Sequence, residues 1–499
     1  MLNKKLISKI LGTLLLLEAV FMFLCVATAI FYQSVDTLPF ILSFAITLAA
    51  GFCFLRVGND ATTTMNRRDA FIVVTLTWIT FSIFGSLPYL FGGFFGSFEL
   101  FDFSGQLAIT TNAFFETMSG FTTTGASILD DVEQQLDSHH AILFWRSLSQ
   151  WIGGLGIVFF TIAVLPSMVS GSTRVFSAEA TGPIRTKMHP RLSTNAKWIW
   201  SVYLALTLGC AICYFVAGMD WFSAINYGMT TTATGGFSIH NDSLAHFQTP
   251  AIEYIGLIFQ FASGINFTVL YMLIVKRQFK TFYKNSELRF YITLVAVCTV
   301  VIALLLMTHN GYGLEHAFRS SCFQVVSLMT TTGIFCDHVG QWPHITWIIL
   351  AALMFIGACA GSTSGGFKSI RAFMICKVIK NEFVRLLHPR AVLPVKVDGH
   401  AMPSAIVQNL LAFFAIYIIV CMATTGLMMA IGTDITNSAI ISLSCVNNVG
   451  LPLNELGPDM AWSDMHWATK WLCAGLMLMG RLEILNVLIL LTPSYWKDN

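Results

Sequence analysis

The chain has 499 residues, of which 55% are hydrophobic and only 11% charged. Soluble globular chains carry about 25% charged residues, so these proportions exclude a soluble domain and indicate a polytopic membrane protein. The formal net charge of +2 carries little meaning as a sum, and no nucleic-acid partner is expected.

In chain order, the basic opening MLNKKLISKI leads into an apolar stretch over 11–32. That stretch is longer than a signal-peptide core and has no small-residue cleavage site, so it is expected to be a retained first span. A second span follows over about 37–56, and residues 1–64 form a pair that stands apart from the rest. After it come four units, over 65–175, 190–284, 285–390 and 400–499. Each has two apolar spans that enclose a segment too apolar for an ordinary loop and too short to cross.

Basic residues cluster over 4–9, 56–68, 174–197, 276–289 and 368–396, whereas the stretches between them carry Asp130, Asp131, Glu133, Asp137, Asp220, Asp242, Glu315, Asp337, Asp434, Glu455, Asp459 and Asp464. Lysine and arginine stay on the cytoplasmic side. The basic loops therefore face in and both termini are cytoplasmic, which requires an even number of spans, about ten. The twelve cysteines lie mostly in apolar runs without a zinc-type C-x-x-C pair and read as buried small hydrophobes.

The four enclosed segments resemble one another: ETMSGFTTTGAS (116–127), INYGMTTTATGGFS (225–238), FQVVSLMTTTGIFCD (323–337) and ISLSCVNNVGLP (441–452). Each is a short apolar helix ending in threonines or asparagines and a glycine, and the units recur roughly every 100–120 residues. Aligned on Gly125, Gly235, Gly333 and Gly450, they predict an all-α fold of four pseudo-symmetric span, half-helix, loop, span repeats around one pore, plus the two extra N-terminal spans. Backbone that is neither helix nor closed sheet is tolerated at membrane depth only when it lines a cavity or is buried in protein. Four half-helices entering from outside would direct the negative ends of their dipoles at the axis. The loops below, Thr123–Thr124–Gly125, Ala233–Thr234–Gly235, Thr331–Thr332–Gly333 and Asn448–Val449–Gly450, would replace the water shell of a cation with oxygens. They hold no carboxylate, which favours a monovalent ion.

Together with WIGGLGI (151–157), GACAGSTSGGFKSIR (357–371) and GRLE (480–483), these segments make nearly the whole chain resemble the TrkH subunits of the Trk/Ktr/HKT superfamily of potassium transporters. In its potassium-selective members all four filter positions are glycine, and a serine in the first repeat goes with sodium. The resemblance therefore implies K⁺ as the transported ion. It also implies a bacterial cytoplasmic (inner) membrane location, a homodimer, and a cytoplasmic ring of TrkA-type nucleotide-binding subunits. The basic loops suit an acidic partner or membrane lipid equally. The fourth repeat lacks the threonines, so its ligands would be the carbonyls of Asn448 and Val449.

Gly361, Ser362, Thr363, Ser364, Gly365 and Gly366 interrupt the second span of the third unit. Small residues there fit a kink for tight helix packing; the resemblance implies instead a gating loop over 357–366 that blocks the pore below the filter. Gly361 and Gly366, followed by Phe367, Lys368 and Ser369, fall one residue short of a phosphate-binding loop, and no strand precedes them. No nucleotide is expected to bind this chain.

Arg481 lies about ten residues into the last span, where an arginine normally faces a cavity or a partner. The resemblance places it beside the gating loop as an electrostatic barrier. Glu18, Gln260, Asn266 and Asn486 read as helix-contact hydrogen bonds, His139 and His140 as solvated, and Glu116 as a residue that orients its half-helix. Arg146, Arg319 and Lys470 have no role legible in the sequence. Gated channel-like uptake and H⁺- or Na⁺-coupled symport both fit this reading. An intramembrane serine protease would need a histidine at the depth of Ser362, and none is available, so no enzyme is expected.

Overall fold

A computed structural model describes residues 2–61, 65–96, 103–156, 192–450 and 462–497. The basic cluster over 174–191 and the ends of WIGGLGI and NNVGLP lie outside them. The described chain is helical apart from one two-residue hairpin, Lys396–Val397 with His400–Ala401. All twelve cysteines are free.

The extra pair is α1 (Lys4–Phe31) and α2 (Thr37–Val57). They approach closely because Gly12 lies on the backbone of Gly51 and Leu55, where a Cβ would fall 2.8 Å from the Gly51 carbonyl oxygen. In α2 only Phe40, Ser43, Thr47 and Gly51 are buried. A stripe of mostly small residues turned inward, with apolar side chains outward, is the pattern of a lipid-facing helix rather than a soluble one.

The first unit contains α3 (Arg67–Gly85), α4 (Leu87–Gly92), the half-helix α5 (Phe103–Phe121) and α6 (His140–Gly154). The second contains α7 (Leu192–Val216), the half-helix α8 (Trp221–Ala233), α9 (Pro250–Ser263) and α10 (Phe267–Ile274), with α11 (Phe279–Lys284) following. The third contains α12 (Ser286–His309), the half-helix α13 (Leu314–Met329), α14 (His344–Ile356) and α15 (Ser369–Leu387). The fourth contains α16 (Ser404–Ile431), the half-helix α17 (Ile435–Asn447), α18 (Trp467–Arg481) and α19 (Ile484–Leu488).

Among the described residues six helices are long and apolar enough to cross a membrane, and two bent pairs raise the number to eight. The bends are unforeseen: the second spans of the second and fourth units turn by 106° and 114°. In the second unit the chain stops at Gly264 and restarts at Asn266, whose side chain accepts from the Thr268 N–H. In the fourth it passes through Glu483 at φ +64°.

Candidate functional site

The four half-helices end in one and the same way. Thr123, Thr234, Thr331 and Asn448 adopt left-handed backbone at φ +54°, +53°, +57° and +55°. Two residues on, Gly125, Gly236, Gly333 and Gly450 do so again, at +83°, +85°, +73° and +61°. The amides match as well. Those of Thr124, Gly235, Thr332 and Val449 each donate to a carbonyl five residues back, on Ser119, Thr230, Ser327 and Ser444, at 2.9, 3.0, 2.8 and 3.1 Å. This is the Schellman closure of a helix end, in which a left-handed residue lets the chain fold back over the last turn.

The shared pattern moves the second repeat by one residue from the alignment on Gly235. Gly236, not Gly235, is equivalent to Gly125, and the loop is Thr234–Gly235–Gly236 rather than Ala233–Thr234–Gly235. Ala233 is the last residue of α8. In the threonine-poor fourth repeat Asn448 takes the left-handed position, which asparagine tolerates better than most residues. Its side-chain amide donates to Thr124 Oγ1 at 3.0 Å and to the Met477 carbonyl at 2.8 Å.

The loops meet head to tail. A Cβ on Gly125 would fall 2.2 Å from the Gly235 carbonyl oxygen, one on Gly236 2.1 Å from that of Thr332, and one on Gly450 2.1 Å from that of Thr124. Each of these glycines is thus required twice, by its backbone angle and by its neighbour. Gln150 fastens the second loop, donating from Nε2 to the Gly235 carbonyl at 2.8 Å and accepting from the Phe237 N–H at 3.1 Å.

The cations without a role in the sequence brace this ring. Arg146 pairs with Glu116 at 2.9 Å, both side chains almost wholly buried. It also donates to Ser127 Oγ at 2.9 Å and to the Ser238 carbonyl at 2.8 Å, with Phe237 under its guanidinium. Glu116 further accepts from Ser127 Oγ and the Ile128 N–H. Arg319 on α13 donates to Glu253 on α9 at 3.0 Å, and its Nε lies 3.0 Å from Glu315 one turn back. Lys470 on α18 reaches Asn112 on α5 and the Ser463 carbonyl, both at 2.8 Å. Sequence separation, 30 residues for Arg146–Glu116 and 358 for Lys470–Asn112, hid these pairs.

Directly below runs the stretch between α14 and α15. Thr363 Oγ1 lies 3.1 Å from the Thr232 carbonyl and 3.3 Å from that of Ser263. Gly365 N–H donates to Thr331 Oγ1 at 2.7 Å, and Ser364 Oγ lies 3.3 Å from the same hydroxyl. A Cβ on Gly365 would meet the Asn447 carbonyl at 2.4 Å. Gly361 and Gly366 take positive φ, at +74° and +77°. Ser362 Oγ donates to the Cys359 carbonyl.

Arg481 spans the gap: it donates to the Thr363 carbonyl at 2.9 Å and to the Gly154 carbonyl at 2.6 Å, with Gly153 accepting as well. Lys368 Nζ donates to the Ser364 carbonyl. Two carboxylates, Glu287 buried and Glu483 half-buried, complete the setting. Glu287 accepts the Ala360 N–H at 2.6 Å, and Glu483 pairs with Arg371 at 2.8 Å.

Other expectations change. Asn266 holds the loop, donating to the Ala360 carbonyl at 2.6 Å, and Asn486 donates to the Leu482 carbonyl within its own helical turn. Glu18 and Gln260 are fully buried but make no hydrogen bond among the described residues, so they are not the helix-contact bonds expected. His140 stacks on Tyr32 at 4.3 Å and His139 packs on Phe94 at 4.9 Å, and both remain half-buried.

The TrkH family profile, described as a cation transport protein, matches residues 38–497. The Trk system potassium uptake protein TrkH of Escherichia coli K12 is 34% identical over 498 residues, 99% of each chain. The corresponding protein of Vibrio parahaemolyticus is 35% identical over 501 residues, also 99% of each chain. The crystal structure of the potassium transporter TrkH from Vibrio parahaemolyticus superposes with a TM-score of 0.86 at 34% identity, covering 99% of both chains.

Proposed function

The chain belongs to the TrkH family of cation transport proteins, and on that premise we propose how it selects and gates potassium. It is a potassium uptake transporter rather than an enzyme. The carbonyls of Thr123, Thr124, Thr234, Gly235, Thr331, Thr332, Asn448 and Val449 replace the hydration shell of K⁺, with Gly125, Gly236, Gly333 and Gly450 setting the backbone angles. The stretch 357–366 is the gate and Arg481 its latch. Both termini lie in the cytoplasm of a bacterial cell. There a homodimer receives nucleotide control from a TrkA-type ring, and no nucleotide binds the chain itself.

The observation that carries this reading is the fourfold repetition of one helix closure, with Gly125, Gly236 and Gly450 each seated on a neighbouring loop's carbonyl. Backbone that is neither helix nor sheet is tolerated inside a membrane only where it is buried in protein or lines a polar cavity. Four carbonyl sets without carboxylates suit a monovalent cation. The test is Rb⁺ and Na⁺ uptake by potassium-starved cells carrying Gly125→Ser, with chain abundance measured in parallel. The expected result is loss of the preference for Rb⁺ over Na⁺. Normal abundance with the preference retained counts against the filter.

A further inference from the structure

At the outer mouth a cluster of ligating side chains has no part in the filter or the gate. Glu133 starts a 3₁₀ turn in the outer loop of the first unit (Glu133–Gln135), while His240 and His246 belong to the outer loop of the second. The Nδ1 atoms of His240 and His246 lie 3.2 and 3.5 Å from Glu133 Oε1. One ligating atom from each of the three residues falls within 4.8 Å of the others. The two imidazoles stack with centroids 3.8 Å apart and planes within 9°.

We propose that Glu133, His240 and His246 form a binding site for a divalent cation of the zinc class, joining the outer loops of the first two units. Two imidazole nitrogens and one carboxylate oxygen are the donor set of Zn²⁺ sites that keep a fourth position for water. Harder cations such as Ca²⁺ and Mg²⁺ take oxygen donors instead. The imidazoles must be neutral to bind a metal.

The loops are already held in place around the three ligands. Asn241 donates its N–H to Glu133 Oε1 at 3.3 Å and its side-chain amide to Asp131 at 3.0 Å, and its carbonyl side accepts from Val132 at 2.9 Å. The His240 ring also rests edge-on against Phe247 at 5.3 Å. The His246 side chain is 43% exposed and has freedom to turn its ring toward a metal.

His240 lies four residues beyond Gly236. Its N–H and carbonyl grip Ser238 Oγ at 3.0 and 2.6 Å, and the Ser238 carbonyl is the one that receives Arg146. A bound divalent ion therefore adds two positive charges to the loop that continues into the second filter segment, and it slows entry of monovalent cations.

The test uses the full chain with Zn²⁺ itself as the probe. Zinc per chain is measured by elemental analysis after equilibrium dialysis, and Rb⁺ influx into proteoliposomes is followed with and without external Zn²⁺. The expected result is one zinc per chain, with affinity at least tenfold lower in His246→Ala and in Glu133→Gln. Influx through the unaltered chain falls with external Zn²⁺ and recovers with chelator, whereas His246→Ala keeps full influx throughout. No zinc on the unaltered chain, or binding by both variants as tight as by the unaltered chain, overturns the site, and bound zinc with unchanged influx overturns its control of the mouth. The binding measurement stands apart from the potassium reading, on which only the influx measurement rests.

Discussion

Replacing Arg481 with alanine unlatches the stretch 357–366 without touching the filter. Of the guanidinium's bonds, the one to the Thr363 carbonyl at 2.9 Å holds the loop, and those to Gly153 and Gly154 tie the arginine to the first unit. A hydrogen bond from a charged donor contributes about 1.5–3 kcal/mol. With about 1.4 kcal/mol for each factor of ten, losing it shifts the closed-to-open ratio by roughly 10- to 150-fold. The loop keeps the Thr363 hydroxyl's contacts, the Gly365–Thr331 bond and the Lys368–Ser364 tie, so it is loosened rather than expelled. Basal Rb⁺ influx into proteoliposomes, without any cytoplasmic partner, is therefore expected to rise at least tenfold, with the Rb⁺ to Na⁺ ratio unchanged.

Arg481→Lys separates charge from geometry. An ammonium keeps the positive charge but lacks the planar fork that bridges Thr363 and Gly154 at once. An electrostatic barrier predicts influx as in the unaltered chain, and a latch predicts an intermediate rise. Basal influx unchanged in Arg481→Ala would refute both.

Two further outcomes follow from the same geometry. Gly236→Ala, which combines φ +85° with a carbonyl 2.1 Å from the new Cβ, is expected to abolish Rb⁺ influx. Gly235→Ala meets only the side-chain end of Gln150 and should retain part of it; equal losses would refute the register assigned to the second repeat. Arg146→Met leaves Glu116 buried without its cation, which costs about 3–5 kcal/mol for a broken buried pair. The expected readout is a clearly lower thermal unfolding midpoint of the purified chain, and an unchanged midpoint would refute the bracing role.

The half-helices were legible because each short apolar stretch ends in threonines or asparagines and a glycine that can take positive φ. The left-handed Thr123, Thr234 and Thr331 were not, because a β-branched residue resists that backbone. The frame of the second repeat was not legible, since Gly235 and Gly236 stand side by side and only the amide of Gly235 bonding to Thr230 tells them apart. The break in the third unit was visible through its run of glycines and serines. Those of the second and fourth units were hidden because each is a joint of two or three residues, recapped in the second by Asn266 and turned in the fourth at Glu483. Arg146, Arg319 and Lys470 looked misplaced on an acidic outer side because Glu116, Glu253 and Asn112, to which they bond, lie on other helices.

The second spans of all four units stop or bend at a common level below the caps. The first ends at Gly154, the second breaks after Ser263, and the fourth breaks after Arg481. Among the described residues the third opens into a long stretch, 357–368, against the short joints 264–266 and 482–483 of the second and fourth. Four equal caps make a ring, but a plug requires one unequal piece, and on the proposed reading the third unit supplies it. That piece touches every unit: Thr232 in the second, Thr331 in its own, the Asn447 backbone in the fourth, and Gly153 and Gly154 in the first by way of Arg481. Thr331 is both a left-handed filter residue and the acceptor of the Gly365 N–H. On the proposed reading, movement of the loop releases a hydroxyl of the filter itself. Arg481 bonds the first unit below its cap, which is why its removal is expected to change how often the path opens and not which ion passes.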